Sequence, residues 1–247
     1  MIAIPGVVVL AQLYESANSV VYQGRQEQDN QPVILKVLKE DYPTPAELSI
    51  YKQEYELTRN LTIEGVVRAY SLEKYQNTLV MLLEDIGGAS LKILTNERTF
   101  TLEEFLKLSV RITEILGQFH AANIIHKDIN PFNIIFNPET GQLKIIDFGI
   151  STLLTRETPA LRNPNGLEGT LAYMSPEQTG RMNRSLDYRS DFYSLGATFY
   201  ELLTHQLPFE ATDAMELVHC HIAKVPVSPD KINPEIPKAV SDIVMKL

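Results

Sequence analysis

The sequence predicts an α+β chain in two parts, the first rich in strands with one helix among them and the second mainly helical. Three observations carry this. Short β-branched and apolar runs crowd the first third, Gly87-Gly88 breaks the pattern, and apolar residues then recur at helical spacing.

Val7 to Leu13, Val20-Val21-Tyr22 and Val33 to Leu38 read as strands of an antiparallel meander, with Asp29-Asn30 supplying turn chemistry before the third. Thr44-Pro45-Ala46-Glu47 combines a Thr cap, Pro at the first helical position and Glu three residues on, so a helix is predicted from Pro45 to about Asn60. Arg68 to Leu72 and Thr78 to Leu83 complete the strands. After the glycines, Thr101-Leu102-Glu103-Glu104 is a second capping box. Phe105, Leu108, Ile112, Ile115, Leu116 and Phe119 follow on one helical face as far as about Ala122. Asn133 to Phe136 and Leu143 to Ile146, joined by a turn with Pro138 and Gly141, predict a small hairpin. Residues 151 to 170 are too polar for a core element and too long for a plain connection, as functional loops are. Phe192 to Leu203 and Asp213 to Ala223 predict two more helices.

Composition narrows the function classes. With 247 residues, 44% hydrophobic and 21% charged, the chain is ordinary globular material able to bury about three quarters of its unfolded surface. Cys220 is the single cysteine, so no internal disulfide forms, and a reducing, cytoplasmic setting is the expectation. A net charge of −9 gives no broad attraction to nucleic acid or an anionic membrane. The run Val7 to Leu10 is too short for a signal-peptide core or a membrane span.

The strongest chemical constellation is His126-Lys127-Asp128-Ile129-Asn130-Pro131-Phe132-Asn133, then Asp147-Phe148-Gly149, then Ser175-Pro176-Glu177. In this order it resembles the signature set of protein kinases, namely catalytic loop, D-F-G and A-P-E. Gly169 to Gln178 resembles the bacterial Ser/Thr-kinase form of the segment that seats substrate, and Asp191 to Gly196 the start of the central helix of the large lobe. The resemblance implies a bilobal protein-kinase-like fold, with a small antiparallel β lobe over about 1–86 and a larger helical lobe over 87–247. It also implies transfer of the ATP γ-phosphate to Ser or Thr hydroxyls of a protein substrate. Phosphoryl transfer needs metal ions on the phosphates and one carboxylate to take the attacking hydroxyl's proton. The resemblance makes Asp128 that base, and Asn133 and Asp147 the hard oxygen ligands for Mg²⁺. Pairing of the hairpin is expected to bring Asn133 and Asp147 to one end.

Lys36, centred in an apolar strand, needs an anionic partner. Val33-Ile34-Leu35-Lys36 matches the kinase V-A-I-K pattern, which implies that Lys36 binds the α- and β-phosphates and a helix glutamate. Of Glu47, Glu54 and Glu56, the first is used by the cap and the last lies with Lys52 and Asn60. Glu54 shares a stripe with Ile50, Leu57 and Leu61 and is the predicted partner. Leu83, Glu84 and Ile86 align with the gatekeeper and hinge that bind the adenine edge. His219, Cys220 and His221 are neighbours that do not share a helix face, so a structural role is expected for them.

The chain departs from the family pattern at the phosphate loop. Aligning Val21 with the family's loop valine puts Tyr14, Ser16 and Ser19 at the three glycine positions, which predicts weaker nucleotide binding or a different loop path. Ser19 is expected to offer a hydroxyl in compensation. Lys127 replaces the arginine before the catalytic Asp, so switching by a phosphorylated activation loop is not expected. Asn130 replaces a lysine near the γ-phosphate, and together with the missing glycines it motivates a second expectation, a pseudokinase-like module that holds nucleotide with weak or no transfer. A small-molecule phosphotransferase of the aminoglycoside-kinase type is a third, and the long segment from Gly149 to Glu177 argues against it. Thr155, Thr158 and Thr170 are candidate phosphosites. The large lobe is expected to be truncated after Ala239 to Leu247, which would leave Glu177 unpaired unless another chain supplies its usual partner. The wording of 137–151 and 180–189 resembles the N-terminal kinase domain of bacterial hybrid proteins that continue into an ATPase module and a sensor histidine kinase.

Overall fold

A computed structural model of the chain describes residues 4–16, 18–39, 42–153, 170–181 and 185–247. Along it run β1 (Val7–Glu15), β2 (Ser19–Gln26), β3 (Pro32–Leu38), α1 (Pro45–Asn60), β4 (Ala69–Tyr75), β5 (Thr78–Glu84), β6 (Ala89–Ser90), α2 (Leu91–Glu97) and α3 (Leu102–Ala121). Then follow β7 (Ile124–Ile125), β8 (Ile134–Phe136), β9 (Leu143–Ile145), β10 (Thr152–Leu153), α4 (Arg189–Thr204), α5 (Ala214–Ala223), α6 (Pro229–Ile232) and α7 (Lys238–Val244). The fold is α+β. Two units are distinguished, Met1–Gly88 with Asn137–Gly149 and Ala89–Phe136 with Ile150–Leu247. Residues 137–149, expected with the helical half, thus group with the strand-rich one.

In the first unit five antiparallel strands lie in the order β1-β2-β3-β5-β4. The period-2 alternation of β3 buries Val33, Leu35 and Val37 with Val80 and Leu82 on one face, and turns Lys36 to the other. On that other side Leu38 and Met81 pack with Tyr51 and Tyr55 of α1. Helix α1 starts where the capping box places it: Thr44 accepts from the Glu47 N–H, and Glu47 reaches back to the Thr44 N–H. Its buried face corrects the predicted stripe. Tyr51, Glu54, Tyr55 and Thr58 are buried, whereas Ile50 is 54% exposed. The two tyrosines outcompete the aliphatics because their hydroxyls find partners; Tyr51 donates to the Lys36 carbonyl.

In the second unit α3 buries the predicted face of Phe105, Leu108, Ile112, Ile115, Leu116 and Phe119. Phe105 meets Phe199 of α4 edge-on at 5.6 Å. Helix α4 begins at Arg189, three residues before the predicted start, because the Asp187 carboxylate accepts the Arg189 N–H at 2.9 Å. Short pieces escaped the periodicity argument: α2 is capped by Ser90, β6 pairs with β8, and β7 with β10. Among the described residues no helix is long and apolar enough to cross a membrane.

Candidate active site

Two clusters of candidate residues form, one in each unit. In the first, strand β3 delivers Lys36 to the middle of the sheet and α1 delivers Glu54 from above it. Lys36 Nζ lies 2.6 Å from Glu54 Oε1 and 3.2 Å from Asp147 Oδ1. The side chains of Lys36 and Glu54 are 12% and 7% exposed, that of Asp147 44%. Burial pulls the Lys36 ammonium down, but the Glu54 and Asp147 carboxylates more than offset it, and its pKa is raised. Burial dominates at Glu54, whose carboxyl is pushed up despite Lys36. Asp147 keeps its place through an unfavourable backbone, a positive φ of 68°, and through its own Oδ1, which accepts the Gly149 N–H at 3.2 Å.

Strand β9, just before Asp147, is anchored by a residue whose role the sequence reading missed. Ile145 N–H donates to Gly65 at 2.7 Å. Buried Lys144 donates to the Val66 carbonyl at 3.0 Å and pairs with Glu84 Oε2 at 3.2 Å. A lysine alternating with Leu143 and Ile145 was the available signal. Glu84 is thereby employed structurally. Its backbone N–H donates to Arg68 O at 2.9 Å and its carboxylate accepts the Arg68 N–H at 3.1 Å. The Ile86 carbonyl accepts from Asn137 Nδ2 at 2.7 Å. Tyr14 is exposed and stands opposite Val21, which in turn stands opposite Lys36. Ser16 and Ser19 face one another across the β1–β2 turn, with their hydroxyls 3.1 Å apart.

The second cluster is built from local turns. Asn130 Oδ1 accepts the N–H groups of Phe132 at 2.9 Å and Asn133 at 3.2 Å, which curls the loop so that Asn133 points back toward Asp128. Asn133 Nδ2 donates to Asp128 Oδ2 and to the Asp128 carbonyl, both at 2.9 Å. The other carboxylate oxygen, Asp128 Oδ1, accepts the Thr170 N–H at 2.9 Å, and Asn130 Nδ2 reaches Thr170 Oγ1 at 3.3 Å.

A buried carboxylate from α4 holds this loop by its backbone. Asp191, fully buried, accepts the N–H groups of His126 at 2.9 Å and Lys127 at 2.7 Å, and meets His120 Nε2 at 2.9 Å. Lys127 sits at a positive φ of 71°, a conformation two strong hydrogen bonds to a charged acceptor can hold. The sequence reading saw Asp191 only as a helix start; a carboxylate ahead of an apolar helical run was the signal. Gln178 Nε2 adds a bond to the Lys127 carbonyl at 2.7 Å. Glu177 is a correction: expected without a partner, it accepts from Ser190 Oγ at 2.7 Å. His221 contacts the Tyr193 hydroxyl through Nδ1 at 2.7 Å and packs edge-on to Phe209. Asn133 and Asp147 belong to different units. Of the candidate phosphosites, Thr155 and Thr158 lie outside the described residues, as does Gly169.

Comparison with known proteins places these clusters in context. A model of the protein kinase domain matches residues 8–247. A protein of Clostridium perfringens described as a probable serine/threonine-protein kinase is 30% identical over 234 residues, which cover 94% of this chain and 33% of that protein. The serine/threonine-protein kinase PrkC of Bacillus subtilis is 29% identical over 216 residues, 87% of this chain and 33% of its own length. The serine/threonine-protein kinase pkn3 of Myxococcus xanthus is 28% identical over 235 residues, 92% and 43% respectively. The chain therefore spans about a third of the length of the first two of these relatives. Family members use ATP and a divalent metal. With its signature motifs standing in order along the match, the chain belongs to the protein kinase domain family.

Proposed function

We propose that this chain transfers the γ-phosphate of ATP to Ser or Thr hydroxyls of protein substrates, as the catalytic module of a larger signalling protein. The observation that carries the reading is the buried lysine held between two carboxylates, Lys36 with Glu54 and Asp147. Such an arrangement fixes one ammonium for a polyanion. Lys36 would hold the α- and β-phosphates, Glu54 would keep Lys36 extended, and the Ile86 N–H would meet the adenine edge. The half-exposed carboxylate of Asp147, in the first unit, is a hard oxygen donor suited to Mg²⁺ with water and phosphate completing the shell, and Asn133, in the second unit, carries an oxygen of the same hard type. The metal would neutralise charge developing on the phosphates.

Asp128 would orient the substrate hydroxyl and take its proton as the new oxygen–phosphorus bond forms and the bond to ADP breaks. Its carboxylate is already aimed by Asn133 and by the Thr170 N–H. Thr170 ties the base to the substrate-seating segment, which supports Ser/Thr over Tyr as acceptor. The downstream ATPase and histidine-kinase modules rest on the wording of 137–151 and 180–189 alone.

Labelled ATP, Mg²⁺ and a generic protein substrate test the reading. Transfer by the parent, lost in Asp128→Ala and Asp147→Ala, supports it; nucleotide binding without transfer in the parent overturns it. One observation favours the second reading, a pseudokinase-like regulator: Asn130, in place of a lysine, spends its side chain wholly on shaping the loop.

A further inference from the structure

We propose that Ser16 limits the chain's affinity for nucleotide phosphates by occupying, with its own hydroxyl, the turn amides a phosphate would use; the proposal rests on the phosphotransfer reading above. Ser16 Oγ accepts the N–H of Ser19 at 3.0 Å and of Asn18 at 3.3 Å, and lies 3.1 Å from both the Ser19 hydroxyl and the Ser19 carbonyl oxygen. The Ser16 N–H closes the same turn on the Ser19 carbonyl at 2.8 Å. The tip is also tied to the far end of β3. The Asn18 carbonyl accepts the Lys39 N–H at 2.9 Å, and Lys39 Nζ meets Glu15 at 2.6 Å.

Register places this turn beside the lysine that would hold the phosphates. Val21 stands opposite Lys36, and Ser19 lies two residues along β2 from it, about 7 Å at the usual strand rise. Successive backbone N–H groups at a turn make an anion-binding concavity. Here two of them already point at a hydroxyl oxygen, so a phosphate oxygen has to displace Ser16 Oγ before it gains either bond. Substituting the hydroxyl away releases both amides. The Ser19 hydroxyl, expected to help bind phosphate, is likewise engaged with Ser16.

The test measures ATP and adenosine affinity in Mg²⁺ for the parent chain, Ser16→Ala, Ser16→Thr and Lys36→Met. Ser16→Ala is expected to bind ATP about three- to tenfold more tightly, the scale of one ordinary hydrogen bond, with adenosine unchanged. Ser16→Thr keeps the hydroxyl and should match the parent. Unchanged or weaker ATP binding in Ser16→Ala overturns the proposal, and so does an equal gain for adenosine, because the effect must act on the phosphates. Lys36→Met tests the underlying reading separately: ATP affinity indifferent to that change removes the phosphate clamp whatever Ser16 does. No ATP binding in any of the four proteins overturns both.

Discussion

The two candidate clusters are held by opposite means. Around Lys36, charge does the work: three ionisable side chains from β3, α1 and the end of β9 meet across 18 and 111 residues of sequence. Around Asp128, hydrogen bonds do it: amides of Asn130, Asn133 and Thr170 fold a short loop onto one carboxylate, and the Asp191 carboxylate fastens the backbone from beneath. A charge cluster stays adjustable, because each member answers to the others' protonation and to an arriving polyanion. A hydrogen-bonded loop is preorganised, with its carboxylate already aimed by fixed donors. That division suits a reaction in which one group must grip a variable charge and another must stand still.

The largest expected effect breaks the second cluster at its centre. Asp128→Ala should lower kcat by about 10²–10⁴-fold with little change in KM for ATP, measured in steady-state transfer assays. Next comes the charge cluster. Lys36→Met should lower kcat/KM about 10²-fold, and leaving Glu54 buried without its cation should cost about 3–5 kcal/mol at neutral pH in denaturant unfolding. The pH dependence of that loss carries a sign. Glu54 already has a folded pKa raised above its unfolded value, foremost by burial, and losing Lys36 raises it further. A raised carboxyl favours the folded state below the unfolded pKa, near 4.5, and the advantage is lost as pH rises through the folded pKa. The variant should therefore recover stability relative to the parent as pH falls toward 5.

A smaller effect tests the hydrogen-bonded scaffold of the second cluster. Asp191→Asn preserves shape but replaces a carboxylate acceptor of two backbone N–H groups by an amide. It should cost about 1–3 kcal/mol and lower kcat while leaving ATP affinity intact. The smallest effect lies outside both clusters. Burial lowers the pKa of His221, so its contribution to stability is full above pH 6.5 and lost as pH falls through its lower folded value. Thermal midpoints of the parent should fall more between pH 7 and pH 5 than those of His221→Gln.

How legible these features were depends on their range. Capping boxes at Thr44 and Thr101 and the apolar face of α3 could be read directly, since caps and periodicity are local statements about hydrogen bonds and burial. Glu54, expected from helical spacing as the partner of Lys36, lies 2.6 Å from it, yet the stripe invoked for it was wrong. Which aliphatic or aromatic residues of a helix are buried depends on what the facing sheet offers, and here it offered the Lys36 carbonyl to the Tyr51 hydroxyl. Lys144 and Asp191 went unassigned because their partners stand 78 and about 64 residues away. Ser16 was noticed only as a missing glycine; its side chain closing the turn is a fact of three-dimensional geometry.

By itself the sequence determined the class of fold and the order of the motifs, because each follows from local pattern, and the resemblance of those motifs to protein kinases implied the residue types that phosphoryl transfer requires. Only the tertiary structure decided which of those residues are spent on one another. It put Lys36 between two carboxylates, turned the Asn133 nitrogen onto Asp128, gave Glu177 a serine partner and consumed the turn amides at Ser16. Hydrogen bonds and ion pairs are short-range in space but indifferent to separation along the chain, so their bookkeeping closes only when the chain is folded.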